Sequence, residues 1–66
     1  MKFKNRHHRK CRSHGGSDEG ENISIVDERQ HKAYHLLFGN MRPQQVADKL
    51  NGVYIDPEFK LIVVRR

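Results

Sequence analysis

The chain contains no tryptophan and a single cysteine, Cys11, and only 35% of its 66 residues are hydrophobic. One cysteine excludes an intramolecular disulfide, and a chain this short buries a smaller share of its surface than a longer one does. One domain at most is expected, with a marginal core that would gain from a metal ion or a partner as a staple. A lone thiol is also what a reducing compartment permits. Long apolar runs are absent too: no run of signal-peptide or membrane-spanning length follows the basic residues ahead of Cys11. The expectation is a cytoplasmic, intracellular protein with no membrane contact.

What the chain has in excess is positive charge. Thirteen Lys and Arg against eight Asp and Glu give a formal charge of +5. Such a chain is drawn to polyanions by counterion release, and nucleic acid is the simplest polyanion.

From Met1 to Arg12 the sequence is almost wholly basic with Phe3 as its one large apolar residue, which suits either a flexible arm or one exposed strand. Ser13 to Glu21 carries Gly15, Gly16 and Gly20 among polar residues and reads as a loop. Asn22-Ile23-Ser24-Ile25-Val26 alternates apolar and polar side chains, the period of a half-buried strand, with Ile23 and Ile25 expected to face the core. Asp27 is a suitable N-cap with Gln30 three positions on, as in a capping box, and the helix it opens should run to Phe38 before Gly39. Pro43 suits the first turn of a second helix, with Val46, Ala47 and Leu50 on one face and Asn51-Gly52 closing it. A turn at Asp56-Pro57 then leads into Phe59-Lys60-Leu61-Ile62-Val63-Val64, which has the composition of a strand. No internal repeat is present.

Five histidines are many for this length, and four of them flank one strand-to-helix unit: His7 and His8 are adjacent, and His31 and His35 lie four apart on the first helix. Side chains four apart on a helix stand about 5–6 Å apart at Cβ, so both imidazoles can face one ion. A hairpin between the strand after Asn22 and one ending near His7 and His8 would bring that pair over the helix, where His7 could complete the site.

These residues resemble the HNH, or ββα-metal, endonuclease family, and most of all the motif of the colicin and pyocin DNases. The resemblance rests on His7-His8, the Gly-Gly loop, Asn22, His31 and His35, with the run from Glu21 to Val26 especially similar. It covers roughly residues 6–38. Where the family often has an apolar strand and a proline after the histidine pair, this chain has Arg9, Lys10 and Cys11. The resemblance implies that His7, His31 and His35 bind a divalent metal, that His8 is the general base, and that Asn22 fixes the loop.

The chemistry is consistent with those roles. Phosphodiester hydrolysis needs an activated water and relief of charge on the phosphate and the departing 3′ oxygen. A histidine titrates near neutrality and can take the proton, provided the loop behind it is held in register. The helix dipole disfavours imidazolium at His31, in the first turn, and so keeps that ring available as a ligand. Arg6, Arg9, Lys10 and Arg12 are candidates for flanking phosphates. Histidine ligands suit zinc and nickel, and the family is also supported by magnesium or manganese.

Blander assignments stand beside these. His14 is expected to be a loop residue without a role, and the alternative for the basic N-terminal arm is a solvated charge run, although beside a phosphodiester site the same charges would raise affinity for the substrate. His31 and His35 could be an ordinary exposed helix face. Cys11 with His7, His31 and His35 could close a structural zinc site with no open position, although no Cys-x-x-Cys knuckle is present; a small core residue is the simpler role for it. Val46, Ala47 and Leu50 resemble the first helix of a helix-turn-helix only vaguely and are expected to be core.

The expected architecture is a small α+β domain spanning 1–66: a basic arm at 1–6, a ββα-metal motif at 7–38, and an extension at 39–66 with a covering helix and a terminal strand. The expected function is metal-dependent endonucleolytic hydrolysis of DNA, with specificity left to a homo-oligomer or a protein partner. The alternative is a non-catalytic DNA-binding or structural zinc module.

Overall fold

A computed structural model describes residues 3–66 of the chain. Two antiparallel strands, β1 (Lys4–His8) and β2 (Ile23–Asp27), are followed by helix α1 (Glu28–Phe38) and a shorter helix α2 (Pro43–Lys49). This is a small α+β fold. Met1 and Lys2, part of the expected arm at 1–6, lie outside the described residues; Lys4, Asn5 and Arg6 belong to β1, so from Lys4 onward the chain is a strand, exposed at Lys4 and Arg6 and half-buried at Asn5, His7 and His8.

β2 forms because Ile23, Ile25 and Val26 are β-branched and favour the pleated backbone. β1, Lys-Asn-Arg-His-His, has no such preference and is held by pairing, with Arg6 opposite Ile25 and His7 opposite Ser24. The ladder is prolonged at both ends, where Arg9 N–H donates to the Asn22 carbonyl at 2.8 Å and Glu28 N–H to the Phe3 carbonyl at 3.0 Å.

This register corrects one expectation. Residues opposite each other share a face, so Asn5, His7, Ser24 and Val26 lie toward α1, while Ile25 stands outside beside Arg6 and is 63% exposed. Alternation identifies two faces without saying which is covered. The side facing α1 is filled by rings: His7 packs edge-on against Tyr34 at 5.0 Å between centroids, and Tyr34 against Phe38 at 5.1 Å.

Asp27 caps α1 as expected, its carboxylate accepting from Arg29 N–H at 2.8 Å, and Gly39 ends the helix at φ 52°. The reciprocal half of a capping box occurs at α2 instead, where the Gln45 side chain accepts from Arg42 N–H at 2.8 Å. α2 lies beside the end of α1, with Lys49 Nζ donating to the Leu37 carbonyl at 2.5 Å. Ala47 is the one buried hydrophobic residue among those described. Val46 and Leu50 are half-buried.

Two expectations for the C-terminal part fail. Asn51-Gly52 does not close α2; the chain widens into a π-type turn over Leu50–Tyr54, with Ile55 N–H donating to the Leu50 carbonyl at 2.7 Å. The terminal strand does not form either. Phe59–Val64 has no partner strand, because the two-stranded sheet lies elsewhere. Asn51 takes its place in part: its side chain accepts from Leu61 N–H at 2.8 Å and donates to the Leu61 carbonyl at 3.0 Å. Among the described residues no helix is long and apolar enough to cross a membrane.

Candidate metal centre

The last turns of the hairpin and one face of α1 meet at three imidazoles. His7 comes from the α1-facing side of β1, and His31 and His35 come from successive turns of α1. One ring nitrogen from each lies within 4.8 Å of the others. The Nε2 atoms of His31 and His35 are 2.8 Å apart, so one donates a hydrogen bond to the other. An ion with bonds of about 2.0–2.1 Å holds two nitrogen ligands roughly 3.3 Å apart in a tetrahedral shell, so small ring rotations would admit one. The donor set, three neutral nitrogens with room for further ligands, fits a borderline-soft divalent cation such as zinc or nickel.

His7 is the ring most affected by its surroundings. Burial lowers its pKa from the ordinary histidine value, and the nearby His31, His35 and His8 lower it further. Each cause disfavours imidazolium and leaves a lone pair free for a ligand role.

His8, next along β1, alternates to the opposite face of the strand. Its Nε2–H donates to the Asp18 carboxylate at 2.7 Å. That bond fixes the tautomer and leaves Nδ1 as the open acceptor. His8 pulls on its partner in turn: the hydrogen bond it donates lowers the Asp18 pKa.

Between these groups lies a cleft of about 190 Å³ bordered by the four histidines, Arg6, Arg12, Cys11 and Asn40. Cys11 also borders a second, wider groove of about 590 Å³, whose cationic residues are Arg9, Lys10, Arg42 and Arg65. The two concavities therefore adjoin. The four basic residues expected near phosphates divide between them, Arg6 and Arg12 in the first and Arg9 and Lys10 in the second. Arg9 also donates to the Glu21 carbonyl at 3.1 Å. Cys11 is half-buried with a free thiol, and its sulfur does not join the three-histidine cluster.

Asn22 ends a single 3-10 turn just before β2. Its side-chain carbonyl accepts from Lys10 N–H at 2.6 Å, and its amide donates to the Lys10 carbonyl at 3.0 Å and the Ser17 carbonyl at 2.7 Å. One side chain thus ties both ends of the loop, including the residue two beyond His8. The loop approaches itself closely at Gly16, where a Cβ would fall 1.8 Å from the Lys10 carbonyl oxygen.

Several contributors were not evident in the sequence. Asp18 is one of several acidic loop residues until its contact with His8 is seen. Tyr34 carries a recoverable signal, since it lies three residues after His31 on the same helical face. Arg42 and Arg65 come from outside the histidine-bearing segment. His14, expected to have no role, donates from Nε2 to the Asn40 carbonyl at 2.6 Å and so ties the loop to the α1–α2 connection.

Neither a family model, nor a curated protein, nor a solved structure matches the chain.

Proposed function

We propose that the chain is a metal-dependent endonuclease of the HNH, ββα-metal kind that hydrolyses phosphodiester bonds in DNA. The observation that carries this reading is the convergence of the His7, His31 and His35 nitrogens within 4.8 Å, in a cleft that His8, Arg6 and Arg12 also border. The strand, loop, strand, helix order from Lys4 to Phe38 agrees with it.

An ion held by the three imidazoles would supply Lewis-acid charge to a scissile phosphate and its leaving 3′ oxygen. The rest falls to the chain's own groups. His8, its Nε2–H held by Asp18, accepts the proton of the attacking water on Nδ1. Asn22 keeps the loop after His8 in register. Arg6 and Arg12 hold phosphate oxygens at the cleft, and Arg9, Lys10, Arg42 and Arg65 continue the positive track along the adjoining groove. Sequence specificity, for which so small a chain has little room, would come from a second copy or another protein.

The second reading is a structural zinc module that binds DNA without cutting it, favoured by Cys11 at the border of the same cleft. Incubation of supercoiled plasmid with the protein, in zinc, nickel, magnesium or manganese and in chelator, separates the two. Nicking that requires metal supports the endonuclease; tight metal and DNA binding with intact plasmid supports the module.

A further inference from the structure

We propose that a small pocket beside the histidine cluster binds one unpaired nucleobase of a DNA strand. The pocket has a volume of about 210 Å³ and is lined by His7, Val26, Gln30, His31 and Tyr34. It is smaller than the roughly 300–1,000 Å³ of sites for drug-sized ligands, so it has room for a single ring system. Where the phosphate of that strand goes rests on the endonuclease reading above.

The walls suit a flat apolar ring. His7 and Tyr34 stand nearly perpendicular, 75° between ring planes and 5.0 Å between centroids, and His7 and His31 do likewise at 82° and 5.3 Å. A ring laid on one of these faces meets its neighbour edge to face, and both stacked and edge-on arrangements are favourable between aromatic rings. Val26, on the α1-facing side of β2, is half-buried and closes the pocket from the sheet, while Gln30 in the first turn of α1 is exposed at its mouth.

The neighbouring cleft selects the occupant. Pocket and cleft share two walls, His7 and His31, and the cleft adds Arg6 and Arg12. A ligand that fills both carries an anion with an apolar ring beside it, which is the build of a nucleotide. A paired base lies within the stack, so only an unpaired or flipped one can enter. Contact through ring faces reads no base edge, and the pocket therefore accepts any base.

Proteins that hold single strands combine a positive groove along the backbone with aromatic side chains on which bases stack. Both halves are present here: Arg9, Lys10, Arg42 and Arg65 line the groove adjoining the cleft, and Tyr34 with the imidazoles lines the pocket. The substrate class that follows is single-stranded DNA, or duplex DNA in which a base has left the stack.

Fluorescence anisotropy of the full chain in chelator, where no metal-dependent cleavage occurs, tests the pocket with two labelled strands of equal length and charge, one of thymidines and one of abasic deoxyriboses. The thymidine strand should bind more tightly by about tenfold or more, and a hairpin with one bulged thymine should compete better than the fully paired hairpin. Tyr34→Phe should keep the difference between the two strands. Tyr34→Leu, which retains an apolar side chain against Phe38, should erase it with far-UV circular dichroism unchanged. Nuclear Overhauser contacts from thymine protons to the Val26 methyls of the wild type locate the base without any substitution. Equal affinity for the two strands overturns the proposal, as does a paired hairpin that competes equally well or a bound thymine with no contact to Val26. A chain that binds the base yet nicks plasmid in none of the four metals loses the endonuclease reading and keeps the pocket.

Discussion

The Nε2 atoms of His31 and His35 face each other at 2.8 Å across one turn of α1. Without an ion, one ring must donate to the other; with one, both turn lone pairs inward and His7 joins them. An ion bound there would link metal to folding in a chain with one buried hydrophobic residue, Ala47, among those described. Zinc or nickel should bind one per chain and raise the melting temperature. His35→Ala should cost more than the roughly 100-fold in affinity typical of losing a supporting residue around a metal site. Calorimetric titration of both proteins checks this, and equal affinities would remove His35 from the site.

Acid should loosen the metal-free fold. The His7 pKa is lowered, chiefly by burial, so the unfolded chain binds a proton that the folded one resists. Stability contributed by neutral His7 is fully present above the ordinary histidine value of about 6.5 and is lost as pH falls from there through the lowered value. Metal affinity should fall over the same window, since protons and the ion compete for one lone pair. Thermal melts in the presence of chelator across pH 5–8, with His7→Phe as control, are the check: the variant's slope should be shallower than the wild type's.

Asn22 ties the loop through three hydrogen bonds to Lys10 and Ser17. Asn22→Ala should cost about 2–3 kcal/mol, at a net value near 1 kcal/mol for each bond, or roughly 10–20 °C of melting temperature in so small a domain. Asn22→Asp should be no milder, because a carboxylate cannot donate to the two carbonyls. The glycines should rank in the same assay. Gly16→Ala should be worst, its Cβ falling on the Lys10 carbonyl; Gly15→Ala should be intermediate, strained at φ 87° but in open space; Gly20→Ala should be near neutral.

How far these features are legible in the sequence depends on how local they are. Asp27 and Gly39 bracket α1 in both, because a cap and a left-handed stop are decided within a few residues. The four-residue spacing of His31 and His35 is likewise local. β1 is not legible in the same way, since Lys-Asn-Arg-His-His acquires its strand from β2. The covered face of β2 is not legible from its alternation, because the layer against it is built of imidazoles and Tyr34 rather than aliphatic chains. Phe59–Val64 has a strand's composition but no edge within the chain to pair with. Asp18 with His8, His14 with Asn40, and the approach of Arg42 and Arg65 to Lys10 all depend on tertiary packing that no short pattern records.

Salt should separate the basic residues by their work. Each phosphate contact contributes about 0.9 to the slope of log affinity against log salt on duplex DNA. Replacing Arg12, Arg42 or Arg65 by Gln should each lower the slope by about that amount, with little dependence on base sequence. Replacing Lys32, which pairs with Glu28 at 3.3 Å on α1, should leave it unchanged. Fluorescence anisotropy over a salt series reads both, and identical slopes for all four variants would detach the groove from DNA.

In the proposed reaction His8 takes the proton from water beside a metal held by His7, His31 and His35. The most direct measurement is the initial nicking rate of supercoiled plasmid under saturating metal, for wild type and His8→Ala, with the metal affinity of each determined in parallel. The expected result is a rate lower by about 10²–10⁴-fold at unchanged metal affinity. Metal-dependent nicking that His8→Ala leaves intact, or no nicking by wild type with any of the four metals, would contradict it.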